Sequence, residues 1–160
     1  MANKKLLIVC GSGGHAAQAL ILYKDLKDTF ACSFLLETSD PLTAGKIVGA
    51  PVYRAVAVRG KREPKLRTLV RLSRCTVQSF RVFRKVRPDV IVSTGPGLAG
   101  PICLWGKLFG KKVIFIESWS RVTTRSWPGK LLYGVADRFF IQWPDQEQNY
   151  PKATYAGRLG

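Results

Sequence analysis

The sequence predicts an α/β fold, a doubly wound and mostly parallel sheet with helices on both sides. Short apolar runs of strand length alternate with helical patterns along the whole chain. Most of these runs are apolar on both faces, as strands covered by helices on two sides must be. Glycine-rich turns stand where strand gives way to helix, which is where such sheets bind ligands. At 160 residues, residues 1–160 read as a single domain with one continuous core. Apolar residues make up 46% and charged residues 22%, a balance opposite to that of disordered chains.

The elements follow in order. Lys4 to Cys10 is a run of strand length, and the glycine loop after it opens a helical pattern from Gly14 to Lys27. Phe30 to Glu37 reads as a second strand, Pro41 to Gly49 as a short helix, and Pro51 to Val58 as an alternating third strand. A basic loop, Arg59 to Lys65, precedes the longest helix, Leu66 to Val86, which Pro88 stops. Asp89 to Ser93 is a strand, Leu98 to Phe109 a helix, Lys112 to Glu117 a strand and Pro128 to Val135 a short helix. Strands over Arg138 to Gln142 and Ala153 to Ala156 complete the set.

Charge is the unusual quantity. Twenty-six Lys and Arg against ten Asp and Glu give +16, a field that attracts nucleic acid, anionic lipid or phosphorylated substrates without choosing among them. Cys10, Cys32, Cys75 and Cys103 are widely spaced with no CxxC pair, which suits a reducing compartment. Lys4 and Lys5 before an apolar run imitate a signal peptide, but glycines end the run too early for an h-region. Nothing approaches the roughly 18 to 20 apolar residues of a membrane span, so any membrane work is expected at the surface.

Gly11-Ser12-Gly13-Gly14-His15 joins the first strand to the first helix. Such glycines let backbone approach a ligand, and the helix start offers free N–H groups and a positive dipole end that favour phosphate; a plain tight turn would use the same residues. Gly11, Gly13 and Ala16 also satisfy a loose GxGxxA pattern, with Glu37 where a ribose-binding acid would sit, so an NAD(P)-binding oxidoreductase is one rival reading. His15 is the only histidine, and is either a proton acceptor at the crevice mouth or a loop-bonding residue. Ser93-Thr94-Gly95-Pro96-Gly97 forms a second strand-to-helix turn and a second candidate phosphate cradle. Glu117 ends an apolar strand, where it must bind a ligand hydroxyl or pair with a nearby base such as Arg121.

Along the longest helix, Arg67, Arg71, Arg74, Arg81 and Lys85, with Gln78 completing the series, follow spacings of three and four and form one stripe. Leu66, Leu69, Val70, Val77 and Phe80 lie on another side, facing core or lipid. Each cation near an anionic leaflet contributes about 1 kcal/mol, so the stripe and the Arg59-Gly60-Lys61-Arg62 loop can hold a protein reversibly on a membrane. A basic nucleic-acid module is the other rival, but no aromatic residues interleave the stripe.

Five segments in order, GSGGH, DVIVSTGPGLAGP, KKVIFIESWSRV, PGKLLYGVADRFFIQWP and YPKATYAGRLG, resemble the bacterial PssD-type polysaccharide glycosyltransferase subunits. They are likewise similar to the membrane-anchoring subunit of the eukaryotic dolichol-linked N-acetylglucosaminyltransferase. A more distant likeness, at Gly13, Gly14, His15 and Glu117, is to the N-terminal domain of the peptidoglycan lipid-linked N-acetylglucosaminyltransferase. The resemblance implies a Rossmann-like domain, the N-terminal half of a split GT-B glycosyltransferase that is active only with a partner. This half would bind a polyprenyl-pyrophosphate-linked saccharide and the cytoplasmic face of the cell membrane, as a peripheral protein. A small PssE-type subunit would bring the nucleotide sugar, a UDP-sugar, and no further cofactor, metal or nucleic acid is expected. His15 and Glu117 would be catalytic, and Gly11, Ser12, Gly13, Gly14, Thr94, Gly95, Gly97 and Arg121 would hold the acceptor pyrophosphate. A counterpart of the eukaryotic subunit's N-terminal membrane helix is not expected, so the anchoring would fall to Arg67, Arg71, Arg74, Arg81 and Lys85.

Overall fold

The computed structural model describes residues 3–58 and 64–159, and each expected element is present within three residues of its expected bounds. The order is β1 (Lys5–Val9), α1 (Gly14–Leu26), β2 (Ala31–Glu37), α2 (Pro41–Lys46), β3 (Val52–Ala55), α3 (Lys65–Val86), β4 (Val90–Ser93), α4 (Ala99–Leu108), β5 (Lys112–Ile116), α5 (Trp127–Leu132), β6 (Arg138–Ile141) and β7 (Thr154–Tyr155). A 3-10 turn, Pro144–Gln148, lies between β6 and β7. Its sequence, PDQEQ, has no apolar period and so gives no helical signal.

The strands form one sheet in the order β3-β2-β1-β4-β5-β6-β7, with every pair parallel. The direction of winding reverses between β1 and β4. There the loops leaving the two strands diverge to opposite faces and leave a crevice beyond the carboxyl ends.

Alternation along β1 builds both halves of the core. Leu7 and Val9 join Leu35, Ile91, Val113 and Phe115 beneath α3, α4 and α5, which contribute Cys75, Phe83, Ile102 and Leu132. Leu6, Ile8 and Cys10 join Phe34, Leu36 and Val92 beneath α1, which contributes Ala19 and Tyr23. Each such large side chain contributes about 1.5–3 kcal/mol by leaving water, so the sheet is fixed on both faces at once.

On α3, four of the five apolar residues expected to face core or lipid stay out of the core. Its core face is Cys75, Ser79, Val82, Phe83 and Val86, all buried. Leu66, Leu69, Val70 and Val77 are exposed, and Phe80 packs on the ring of Trp105 at a centroid separation of 4.6 Å. Leu66, Leu69, Val70 and Val77 share the face turned away from the core, which Leu72, Cys75, Ser79, Val82, Phe83 and Val86 occupy on the other side.

Beyond β5, a buried polar cluster fixes the long loop to α5. Glu117 is 1% exposed; its Oε1 accepts from the Ser118 N–H (2.9 Å), and its Oε2 accepts from the Ser126 N–H (3.3 Å) and the Tyr150 hydroxyl (2.6 Å). Ser126 Oγ in turn accepts from the Gly129 N–H (2.9 Å), capping α5. The 3-10 turn and its flanks complete the loop's hydrogen bonding. Gln146 Nε2 donates to the carbonyls of Arg121 (2.7 Å) and Thr124 (2.9 Å), and Asn149 Nδ2 donates to that of Thr123 (2.8 Å).

Gly129 leaves no room for a larger residue in this cluster, since a Cβ there would overlap Glu117 Oε2 and the Tyr150 hydroxyl and stand 2.8 Å from Ser126 Oγ. Gly129→Ala should therefore destabilise the protein by about 1–3 kcal/mol in denaturant melts. Gly134→Ala, where the added carbon meets nothing within 4 Å, should stay within about 0.5 kcal/mol of the parent. Equal stability of the two variants would contradict this packing.

Candidate functional site

The two glycine-rich loops meet at the switch point, and His15 joins them. His15 stands in the first turn of α1, with its Nδ1 2.5 Å from the carbonyl oxygen of Thr94. The Thr94 hydroxyl donates back to the His15 carbonyl at 3.0 Å. A carbonyl oxygen only accepts, so Nδ1 carries the hydrogen and the neutral ring keeps its lone pair on Nε2. Burial holds the His15 pKa below its ordinary 6.5 and Arg121 works in the same direction, against the Thr94 hydrogen bond and the charge of Glu117. At neutral pH the imidazole is uncharged and able to take a proton.

Both helices that start at these loops begin without a side-chain cap, at Gly13 for α1 and Leu98 for α4. By contrast, α2 and α5 are capped by Asp40 and Ser126. Uncapped N–H groups and two converging dipole ends make the switch point electropositive at short range. Gly13 and Gly95 take φ of 65° and 91°, which side chains with a Cβ rarely adopt. Gly14 lies so close under the Trp119 indole that a methyl group there would collide with it.

A cleft of about 590 Å³ opens over these loops. His15, Gly95 and Gly97 come from the switch point, and Ser118, Ser120, Arg121, Ser126 and Trp127 from the loop after β5. Glu37, Val58, Thr68 and Leu72 complete the opposite part of the lining. The volume lies within the usual range for small-molecule sites, and hydroxyl groups, one cation and one carboxylate converge on it. Arg121 is exposed and its Nη1 donates to Thr124 Oγ1 at 3.3 Å. Burial, then the nearby Asp40, raises the pKa of Glu37. Among the described residues no hydrogen bond or ion pair engages its carboxylate.

The expected site residues divide by position. His15, Gly95, Gly97 and Arg121 line the cleft. Gly11 is buried where the two loops touch, a Cβ there being 3.0 Å from that of Pro96, while Ser12 and Gly13 are exposed at the tip. Thr94, expected to cradle phosphate, is wholly buried with its hydroxyl bonded to His15, so it orients the histidine instead. Glu117 does not pair with Arg121 among the described residues; its oxygens face Ser118, Ser126 and Tyr150, which makes it the support of the cleft wall rather than its surface.

Of the basic stripe, Arg67, Arg74, Arg81 and Lys85 are exposed and Arg71 is half-buried. Lys85 Nζ lies over the Tyr53 ring at 5.4 Å, and Gln78 turns inward to accept from the Val56 N–H at 2.8 Å. The Arg59-Gly60-Lys61-Arg62 loop lies outside the described residues. Among these, no helix is long and apolar enough to cross a membrane.

Sequence reasoning missed Ser118, Ser120 and Ser126 as cleft residues, and Gln142, Gln146 and Asn149 as its scaffold. Ser118 and Ser120 flank Trp119 in a motif already singled out, and Ser126 before Trp-Pro-Gly carries an N-cap signal. The three amides carry none, because their partners are backbone carbonyls 22 to 26 residues away.

The fold and the sequence have known relatives. A solved MurG from Acinetobacter baumannii superposes with a TM-score of 0.75 at 20% identity, covering 98% of this chain and 45% of that one. A UDP-N-acetylglucosamine 2-epimerase superposes with a TM-score of 0.71 at 14% identity, covering 94% of this chain and 45% of that one. The chain thus spans less than half of these larger structures, and the likeness is one of fold. In sequence it is similar to the UDP-N-acetylglucosamine transferase subunit ALG14 of Rattus norvegicus, 33% identical over 177 residues, covering 96% of this chain and 82% of the relative. The Schizosaccharomyces pombe subunit of the same name is 34% identical over 176 residues, covering 97% and 83%. The family described as oligosaccharide biosynthesis protein Alg14 like matches residues 6–159, and the chain belongs to that family.

Proposed function

We propose that this chain is the acceptor-binding, membrane-associating subunit of a two-component glycosyltransferase. It presents a polyprenyl-pyrophosphate-linked saccharide to a sugar donor held by a second, PssE-type subunit. The relatives named as UDP-N-acetylglucosamine transferase subunits support UDP-N-acetylglucosamine as that donor. The resemblance to PssD-type subunits supports a place in polysaccharide synthesis on the cytoplasmic face of the membrane. The observation that carries the reading is the neutral His15, held by Thr94 in the lining of a cleft where two uncapped helices converge.

In this reading the starts of α1 and α4, Gly97 and Arg121 bind the acceptor diphosphate. His15 Nε2 takes the proton of the acceptor hydroxyl as its oxygen bonds to the anomeric carbon of the sugar. The bond from that carbon to the departing nucleoside diphosphate breaks on the opposite face, with inversion. Glu117 keeps Ser118 to Ser126 in place and acts on the reaction through that loop.

His15→Ala should lower kcat of the assembled two-subunit enzyme by about 100-fold or more, with assembly unchanged on gel filtration. A base must be unprotonated to act, so parent activity should rise with pH through an inflection below 6.5 and level off before neutrality. That acid limb should vanish in the variant. Near-parental turnover in His15→Ala would exclude the assigned role.

Membrane association rests on the exposed cations of α3 beside its exposed Leu66, Leu69 and Val70. Replacing Arg67, Arg74 and Arg81 by Glu removes cations worth about 1 kcal/mol each at an anionic surface, so sedimentation with anionic liposomes should weaken by roughly a hundredfold or more. Unchanged binding would rule out α3 as the anchor.

A further inference from the structure

A second depression, of about 460 Å³, adjoins the cleft. It lies between α3 and α4 and reaches α5, and its main side chains are Leu72, Leu104, Trp105, Leu108, Trp127 and Leu131. No charged residue lines it. Its threonine and one of its tryptophans are already satisfied: Thr76 Oγ1 donates to the Leu72 carbonyl (2.8 Å), and Trp105 Nε1 donates to the Thr76 carbonyl (3.1 Å). Gly100 keeps space open beneath α5, since a Cβ there would stand 3.1 Å from Leu131 Cδ2.

Two features limit what the groove can hold. Leu72 and Trp127 line both the groove and the cleft, so the two are one continuous depression, polar at one end and apolar at the other. The groove also opens onto a flank where Leu69, Val77, Leu108 and Phe109 are 48–71% exposed. Its occupant is therefore an amphiphile with a polar head in the cleft and a hydrocarbon chain that runs on past the protein. A partner's apolar helix would need no such link to the polar end.

We propose that the groove is a prenyl subsite, taking the first isoprene units of a lipid whose diphosphate occupies the adjoining cleft. This rests on the reading of the cleft as a diphosphate site and adds a determinant for the lipid itself. The chain is then bound in a defined direction, so the saccharide beyond the diphosphate is delivered toward His15 and Glu37.

The test is the affinity of the full chain, without membranes, for inorganic pyrophosphate and for isopentenyl, geranyl and farnesyl diphosphate below their micelle concentrations, followed by calorimetry. Each buried methylene is worth about 0.8 kcal/mol, so the farnesyl ester should bind at least ~100-fold more tightly than pyrophosphate, with the intermediate chains in between. Leu104→Gln and Leu131→Gln, at positions 43% and 38% exposed and thus tolerant of substitution, should each cut farnesyl diphosphate affinity by about 10-fold while leaving pyrophosphate affinity within twofold. Pyrophosphate bound as tightly as its farnesyl ester, or a chain-length gain undiminished in both variants, would overturn the prenyl subsite while leaving the diphosphate site standing. Failure of pyrophosphate and all its esters to bind would overturn the diphosphate site and the subsite with it.

Discussion

The reciprocal hydrogen-bond pair between His15 and Thr94 is the interaction on which the site depends. Two loops leave adjacent strands in diverging directions, and these bonds hold them together at the point of divergence. The pair spends the carbonyl and the hydroxyl of Thr94 on one partner and fixes the histidine's tautomer in doing so. Without it, two glycine-rich turns would each sample many conformations, and the helix starts behind them would have no fixed relation. Sheet topology brings the loops near one another; the pair makes of them a single surface.

The loop after β5 is held by a different kind of constraint. In a chain of net charge +16, the fully enclosed Glu117 carboxylate has no cation among its hydrogen-bond partners. Backbone N–H groups and a tyrosine hydroxyl surround it, an arrangement with high geometric specificity because a donor displaced by an ångström leaves a buried charge unsatisfied. Tyr150 feels the same enclosure: burial and the adjacent Glu117 push its pKa well above the usual phenol range. The Tyr150 hydroxyl therefore keeps its proton at physiological pH and stays a donor to Glu117, which suits a scaffold. His15, whose ordinary pKa lies near neutrality and is lowered by burial, is the part of the site suited to exchange a proton.

The sequence made the sheet legible because the central strands are continuous apolar runs, those of β1 and β4 closed by glycine turns and that of β5 by the polar Glu117-Ser118. The crevice followed from the parallel order, and with it His15, Gly95, Gly97 and Arg121. What the sequence left open has a common physical origin. Leu66, Leu69, Val70 and Val77 repeat at helical spacing whether core or solvent lies opposite, so periodicity left core and lipid as alternatives for a face that the structure leaves exposed. Thr94 reads as a phosphate contact and Glu117 as a ligand contact or a partner of Arg121, because the groups that engage them, His15 and Tyr150, lie 79 and 33 residues away. Alternation and spacing report which face a residue occupies. They do not report what distant segment covers it.

The chain's single histidine gives the most direct check on the whole account. Imidazole 15N resonances of uniformly labelled protein distinguish the two neutral tautomers and follow protonation without ambiguity of assignment. The account predicts a neutral ring at pH 7 with hydrogen on Nδ1 and a titration midpoint below 6.5. A ring carrying hydrogen on Nε2, or one still protonated at neutral pH, would contradict it.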